Sequence, residues 1–183
     1  MKRVCVYCGS REGARPAYSA MARRLGELLA GKGIGLVYGG MRAGLMGEVA
    51  DAVLDGGGEV IGIIPEILAE QGLGHPRVRD LRTVSSMPAR KGMMAELADA
   101  FIVLPGGVGT WEEFFEIWSW ATLGLHDKPC GILNVEGYYD RLIEFLDQAV
   151  AEEFLKEKNR AMVLVDDSPE RLLDRLARFG KEN

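Results

Sequence analysis

The strongest constraint on the fold is a repeated juxtaposition. Short runs of β-branched and apolar residues end in glycine or another turn former, and stretches with helical spacing lie between most of them. Strands are predicted over Arg3 to Tyr7, Gly35 to Tyr38, Glu59 to Ile64, Leu81 to Val84, Ala100 to Leu104, Cys130 to Asn134 and Met162 to Val165. Helices are predicted over Pro16 to Ala30, Gly44 to Leu54, Pro88 to Leu97, Thr110 to Leu123, Tyr138 to Phe154 and Ser168 to Phe179. In the first, Met21, Leu25, Leu28 and Leu29 share a face, and Gly31 and Gly33 end it. In the last, Ser168 is a cap before a first-turn proline, Pro169. Such alternation makes an α/β fold, a parallel sheet covered by helices on both faces. The segment Pro65 to Arg79 reads as one long irregular connection, either a cover over a site or a surface loop.

There are 24 glycines among 183 residues, nearly twice the ordinary frequency of about 7%, and they gather at the carboxyl ends of predicted strands. Gly9 follows the first, Gly39-Gly40 the second, and Gly106-Gly107-Val108-Gly109 the strand ending in Leu104. That sheet edge is where ligands bind in open α/β folds, because helix N-termini there present free N–H groups. Pro105-Gly106-Gly107-Val108-Gly109-Thr110 opens a helix, so backbone amides and the Thr110 hydroxyl could hold a phosphate. The run is neither a Walker A loop nor a dinucleotide fingerprint, whose third glycine is replaced here by Glu112. Structural turn glycines are the plain alternative.

Glu112-Glu113 fall in the first turn of that helix, where carboxylates suit the helix dipole or could act on a sugar beside a bound phosphate. Arg90-Lys91 stand near the start of the preceding helix, where cations oppose the dipole. An anionic ligand would account for them, as would a solvated face.

Several classes find no support. A net charge of −5 disfavours broad nucleic-acid binding. No apolar run approaches a membrane span or signal-peptide core, so a cytoplasmic single domain over residues 1–183 is expected. Cys5, Cys8 and Cys130 make no disulfide framework, and the Cys5/Cys8 C-x-x-C lies on a strand that points the two to opposite faces. His75 and His126 are too few for a histidine-rich metal site. Ser10, Ser85, Ser86 and Ser119 sit in no nucleophile elbow. Trp111, Phe114, Phe115 and Trp118 form an apolar helix face suited to core or dimer interface, with base stacking as the lesser alternative.

Val4-Cys5-Val6-Tyr7-Cys8-Gly9-Ser10, the run from Tyr38 to Gly47, Met87-Pro88-Ala89-Arg90-Lys91 and Pro105 through Glu113 together resemble the LONELY GUY family. The likeness continues through Trp120 to Pro129 and Tyr138-Tyr139, covering nearly the whole chain. Met41 stands where many members have a third glycine, on the ribose side of the pocket. The resemblance implies a Rossmann-like, doubly wound, mostly parallel sheet, usually dimeric. It implies hydrolysis of the N-glycosidic bond of adenine-type nucleoside 5′-monophosphates without metal or other cofactor.

Carried over by position, Arg90 and Glu113 would be the catalytic pair, and Gly106, Gly107, Gly109 and Thr110 would bind the 5′-phosphate. Lys91, Glu112, Ser10, Gly39 and Gly40 would line the substrate site. Lys91 as a pyridoxal Schiff-base lysine fits poorly, since no partner motif accompanies it. The other class left open is a nucleotide-binding or sensing module that uses the same loop without turnover.

Overall fold

The computed structural model describes residues 1–179. Among them seven strands, β1 (Arg3–Tyr7), β2 (Gly35–Tyr38), β3 (Val60–Pro65), β4 (Asp80–Val84), β5 (Ala100–Val103), β6 (Cys130–Leu133) and β7 (Val163–Asp166), form one sheet ordered β4-β3-β2-β1-β5-β6-β7. Every pairing is parallel. Strands β2, β3, β5 and β6 are buried throughout, which is why they read as continuous apolar runs, whereas edge strand β4 is largely solvated.

The helices are α1 (Pro16–Gly31), α2 (Gly44–Asp55), α3 (Glu66–Glu70), α4 (Met87–Leu97), α5 (Val108–Thr122), α6 (Asp140–Ala151), α7 (Glu157–Arg160) and α8 (Pro169–Arg178). Helices α1, α2 and α8 bury Leu25, Leu29, Val49, Val53, Leu172 and Leu176 on one face of the sheet. On the other face α4, α5 and α6 bury Met94, Phe114, Ile117, Trp118 and Leu146. Cys8 packs in the first layer and Cys5 in the second, so the C-x-x-C is split by the sheet, and all three cysteines are free and buried.

Ser168 caps α8 as its sequence predicts, accepting from the Arg171 amide at 3.3 Å, and Ser86 caps α4 through the Ala89 amide. Three expectations need correction. Pro65 to Arg79 is not wholly irregular: Pro65 ends β3 and the next five residues form α3. Tyr138 and Tyr139 stay outside α6. Asn134 instead closes a turn there, accepting from the Tyr139 amide at 2.8 Å and donating to Asp140 at 2.7 Å, with Glu136 and Gly137 left-handed. That helix also stops at Ala151, because Glu153 is left-handed at φ 63°, and the short α7 follows.

The chain builds outward from β1 to β4, then returns to place β5 on the opposite side of β1. This reversal opens a crevice beyond the carboxyl ends of β1 and β5.

Candidate active site

Beyond those two strand ends lies a cavity of about 670 Å³. The β1 and β5 connections meet at its floor. The Gly9 amide donates to the Pro105 carbonyl at 3.0 Å. At Gly106 a β-carbon would fall 2.1 Å from Thr110 Oγ1, so only glycine lets the loop fold back onto the start of α5. Gly107 is the N-cap of α5 and supplies no side chain, leaving the first-turn amides uncapped at the cavity. An anion is the natural partner for such a helix end when backbone and cavity both converge on it. Gly106, Gly107, Val108, Gly109, Thr110 and Ser10 line this side.

Two tyrosines from the β6–α6 turn fix the loop. Tyr138 Oη donates to the Gly106 carbonyl at 2.5 Å and Tyr139 Oη to the Leu104 carbonyl at 2.8 Å. Tyr138 also lines the cavity, a role not assigned to it from the sequence. Its signal was the Tyr138-Tyr139 pair within the family resemblance.

Arg90 from α4 and Glu113 from α5 meet at 2.6 Å, Nη1 donating to Oε1, with 4% and 5% exposure. Both line the cavity. Arg90 Nε also donates to the Ile63 carbonyl at 3.0 Å, anchoring the guanidinium to the end of β3. Gly39 makes room for it: a β-carbon there would lie 1.9 Å from Arg90 Nη2. Burial pushes the Glu113 carboxyl above its ordinary range, and the charge and hydrogen bond of Arg90 oppose the rise without cancelling it. A carboxylate with a raised pKa, paired and facing a cavity, suits charge stabilisation or proton transfer.

The sequence-predicted site residues therefore divide. Arg90, Glu113, Ser10, Gly106, Gly107, Gly109 and Thr110 come together around one cavity. Gly39 and Gly40 lie behind it, Gly39 under Arg90 and Gly40 in a turn at φ +75° whose carbonyl accepts from the His75 amide at 2.9 Å. Lys91 and Glu112 stand outside the cavity wall. Lys91 donates to Glu112 and, at 2.9 Å, to Glu116.

The opposite wall is apolar, made by Met41, Leu45, Met46, Leu68 and Met87. Leu68 belongs to α3, so the segment after β3 does reach the site. An antiparallel bridge between Met41 and Gly74, with Arg42 N donating to the Leu73 carbonyl, stitches it there. In the aromatic stripe of α5, Phe114 and Trp118 are core, while Trp111 and Phe115 are about 40% exposed and lie outside the cavity wall. His75 is buried and accepts from the Arg77 amide; His126 contacts the Ile117 carbonyl at 2.9 Å. Among the described residues no three His, Cys, Asp or Glu side chains group as metal ligands.

The family model described as possible lysine decarboxylase matches residues 46–176. The chain is 46% identical over 181 residues to the cytokinin riboside 5′-monophosphate phosphoribohydrolase LOG of Oryza sativa subsp. japonica, covering 99% of this chain and 75% of that protein. It is 46% identical to the enzyme LOG3 of the same description from Arabidopsis thaliana, covering 98% and 83%. Among solved structures, the molybdenum cofactor binding protein of Rippkaea orientalis superposes with a TM-score of 0.72 at 22% identity, covering 97% of this chain and 96% of that one. The Moco carrier protein of Chlamydomonas reinhardtii gives 0.73 at 18%, covering 100% and 99%. Both establish the fold only.

Proposed function

The chain belongs to the LONELY GUY family of phosphoribohydrolases, and from that premise we propose that it hydrolyses adenine-type nucleoside 5′-monophosphates, cytokinin riboside monophosphates and AMP, to free base and ribose 5-phosphate. The observation that carries this reading is the buried Arg90–Glu113 pair beside the uncapped N-terminus of α5. The 5′-phosphate sits on the amides of Gly107, Gly109 and the Thr110 hydroxyl, with Gly106 shaping the loop and Ser10 opposite. The ribose then lies over Glu113, with Met41 on its side, and the base against Leu45, Met46, Leu68 and Met87.

Cleavage of the C1′–N bond leaves positive charge on the ribose and negative charge on the base. Glu113, as the carboxylate, stabilises that cation and takes a proton from the attacking water. The departing base nitrogen takes a proton, and the hydroxide equivalent remains on C1′, so the reaction balances. Arg90 supports the ionised Glu113 and fixes its orientation, since a carboxylate this buried would otherwise hold its proton. A module that only binds nucleotide needs the amides and the cation, but gains nothing from a carboxylate set near a phosphate.

The test is incubation of the purified chain with isopentenyladenosine monophosphate, AMP, GMP and CMP, with chromatography for free base. Release from the adenine nucleotides that drops at least a hundredfold in Glu113→Gln and Arg90→Ala is expected. Binding without release, or variants with normal rates, overturns the reading. We further place the protein in the cytoplasm as a homodimer. Three free cysteines accord with a reducing compartment. Trp111, Phe115, Leu123 and Leu125 offer exposed apolar surface for a second copy. Among the described residues no helix is long and apolar enough to cross a membrane. A monomeric mass on size-exclusion chromatography removes the dimer.

A further inference from the structure

We propose that Lys91 is a positioning residue: bridged to Glu112 and Glu116, it locks α4 to α5 behind the cavity and so holds Arg90 against Glu113 without touching substrate. The inference rests on the hydrolytic reading above.

Adjacent helix residues point about 100° apart, so Arg90 and Lys91 cannot serve the same side of α4. Arg90 turns into the cavity. Lys91 turns away from it and is nearly as buried, at 9% exposure, with its ammonium held by Glu112 and Glu116. Those two carboxylates are four apart on α5 and share a face, while Glu113 projects from the neighbouring face toward Arg90. Two consecutive cations of α4 therefore meet consecutive carboxylates of α5 as parallel rungs, one inside the cavity and one outside it. An ammonium already shared by two carboxylates has little left for a phosphate, and the loop that would hold the phosphate is built elsewhere.

Removing the outer rung has two effects. It frees the helices to shift, and a shift of 1 Å is enough to spoil a 2.6 Å contact. It also leaves Glu112, the neighbour of Glu113, and Glu116, about one turn further along α5, uncompensated.

The groups that face Glu113 are Arg90 and Lys91 from α4, Cys5, Tyr7 and Cys8 from β1, and Glu112 on its own helix. Burial raises the three β1 groups, which keeps them neutral at ordinary pH. Among the described residues Arg90, Lys91 and Glu112 then act most strongly on the carboxyl. Lys91 acts to lower it and Glu112 to raise it. Lys91 itself loses to burial but gains more from its hydrogen bonds to Glu112 and Glu116, and stays charged.

The experiment measures kcat and KM for base release from AMP across pH, using the full chain and the variants Lys91→Met, Lys91→Arg, Glu112→Gln and the double variant Lys91→Met/Glu112→Gln. Lys91→Met should lose about tenfold in kcat with KM within about twofold. Its acidic limb should move up by about half a pH unit. Glu112→Gln should move that limb down, Lys91→Arg should restore kcat, and the double variant should bring the limb back toward the parent.

A large rise in KM with an unmoved limb means that Lys91 contacts substrate, and overturns the proposal. So do limbs that move in the same direction in both single variants, because general loosening has no reason to respect the sign of the charge removed. Should Lys91→Met fail to fold, the downward shift in Glu112→Gln decides alone. An inactive parent chain defeats the hydrolytic reading and this inference with it. An active parent with unmoved variants defeats this inference only.

Discussion

Gly39→Ala should disable the enzyme from behind, without changing any group that touches substrate. Gly39 has no left-handed φ, so alanine is allowed by the backbone and the effect comes from space alone. The added β-carbon would lie 1.9 Å from Arg90 Nη2, 3.1 Å from Cζ and 3.3 Å from Met46 Sδ. Ordinary carbon contacts begin near 3.5 Å, so the guanidinium must retreat by about 1.5 Å. It cannot do so while Nε holds the Ile63 carbonyl and Nη1 holds Glu113. A 2.6 Å bond stretched by that amount is no longer a hydrogen bond.

Loss of one preorganised electrostatic contact costs about 3 kcal/mol in the transition state, which is about 150-fold in kcat. Stability should fall too, by up to about 3 kcal/mol, limited by the freedom of Glu113 to take a proton once Arg90 has moved. Steady-state base release and urea unfolding measure the two effects. Gly92→Ala is the control on the same helix as Arg90. Nothing lies within 4 Å of its β-carbon, so it should keep activity and gain about 0.5 to 1 kcal/mol. A Gly39→Ala enzyme within threefold of the parent refutes the claim that Gly39 exists to seat the guanidinium.

Tyr138→Phe removes the hydroxyl that holds the Gly106 carbonyl, so KM for AMP should rise severalfold while kcat at saturation changes little; a kcat loss at constant KM contradicts this. Leu68→Ala opens the apolar wall, and competition between isopentenyladenosine monophosphate and AMP should move toward AMP; an unchanged ratio would separate α3 from base recognition. The raised Glu113 carboxyl means that the native state binds its proton more tightly than the unfolded chain does. Its stability contribution is therefore full below the ordinary carboxylate range and is lost as pH rises through the raised value, the interval over which activity appears. Relative to the parent, Glu113→Gln should gain stability as pH rises out of the ordinary carboxylate range in urea titrations, and a gain in the acid direction reverses the sign of the argument.

The sheet was legible because its central strands are buried on both sides and so appear as unbroken apolar runs. The loop from Gly106 to Gly109 was legible for a related reason: glycines massed at a strand end announce close approach. Arg90 was visible as a cation that opposes its helix dipole and Glu113 as a carboxylate beside the glycine loop, though their pairing required the resemblance. Gly39 was expected to line the site, but its actual task depends on a side chain 51 positions away, which no local pattern encodes. Lys91, which the resemblance put in the site lining, stands outside the cavity wall, because the turn of α4 sends it away from Arg90 and toward Glu112 and Glu116. The five-residue α3 is too short to display a period, and α6 began late because the Asn134 side chain captured the preceding turn.

The backbone stitches that hold α3 and the following residues to the β2–α2 connection have a consequence for side-chain changes there. His75 to Gly40, Arg42 to Leu73 and the Met41–Gly74 bridge join main chain to main chain, indifferent to most side chains. The reacting groups, by contrast, are rooted in α4 and α5 on the other half of the site. Segment 66–79 is thus held at the cavity by main chain, so a change of side chain there, at Leu68 for one, reshapes the apolar wall without touching the Arg90–Glu113 pair.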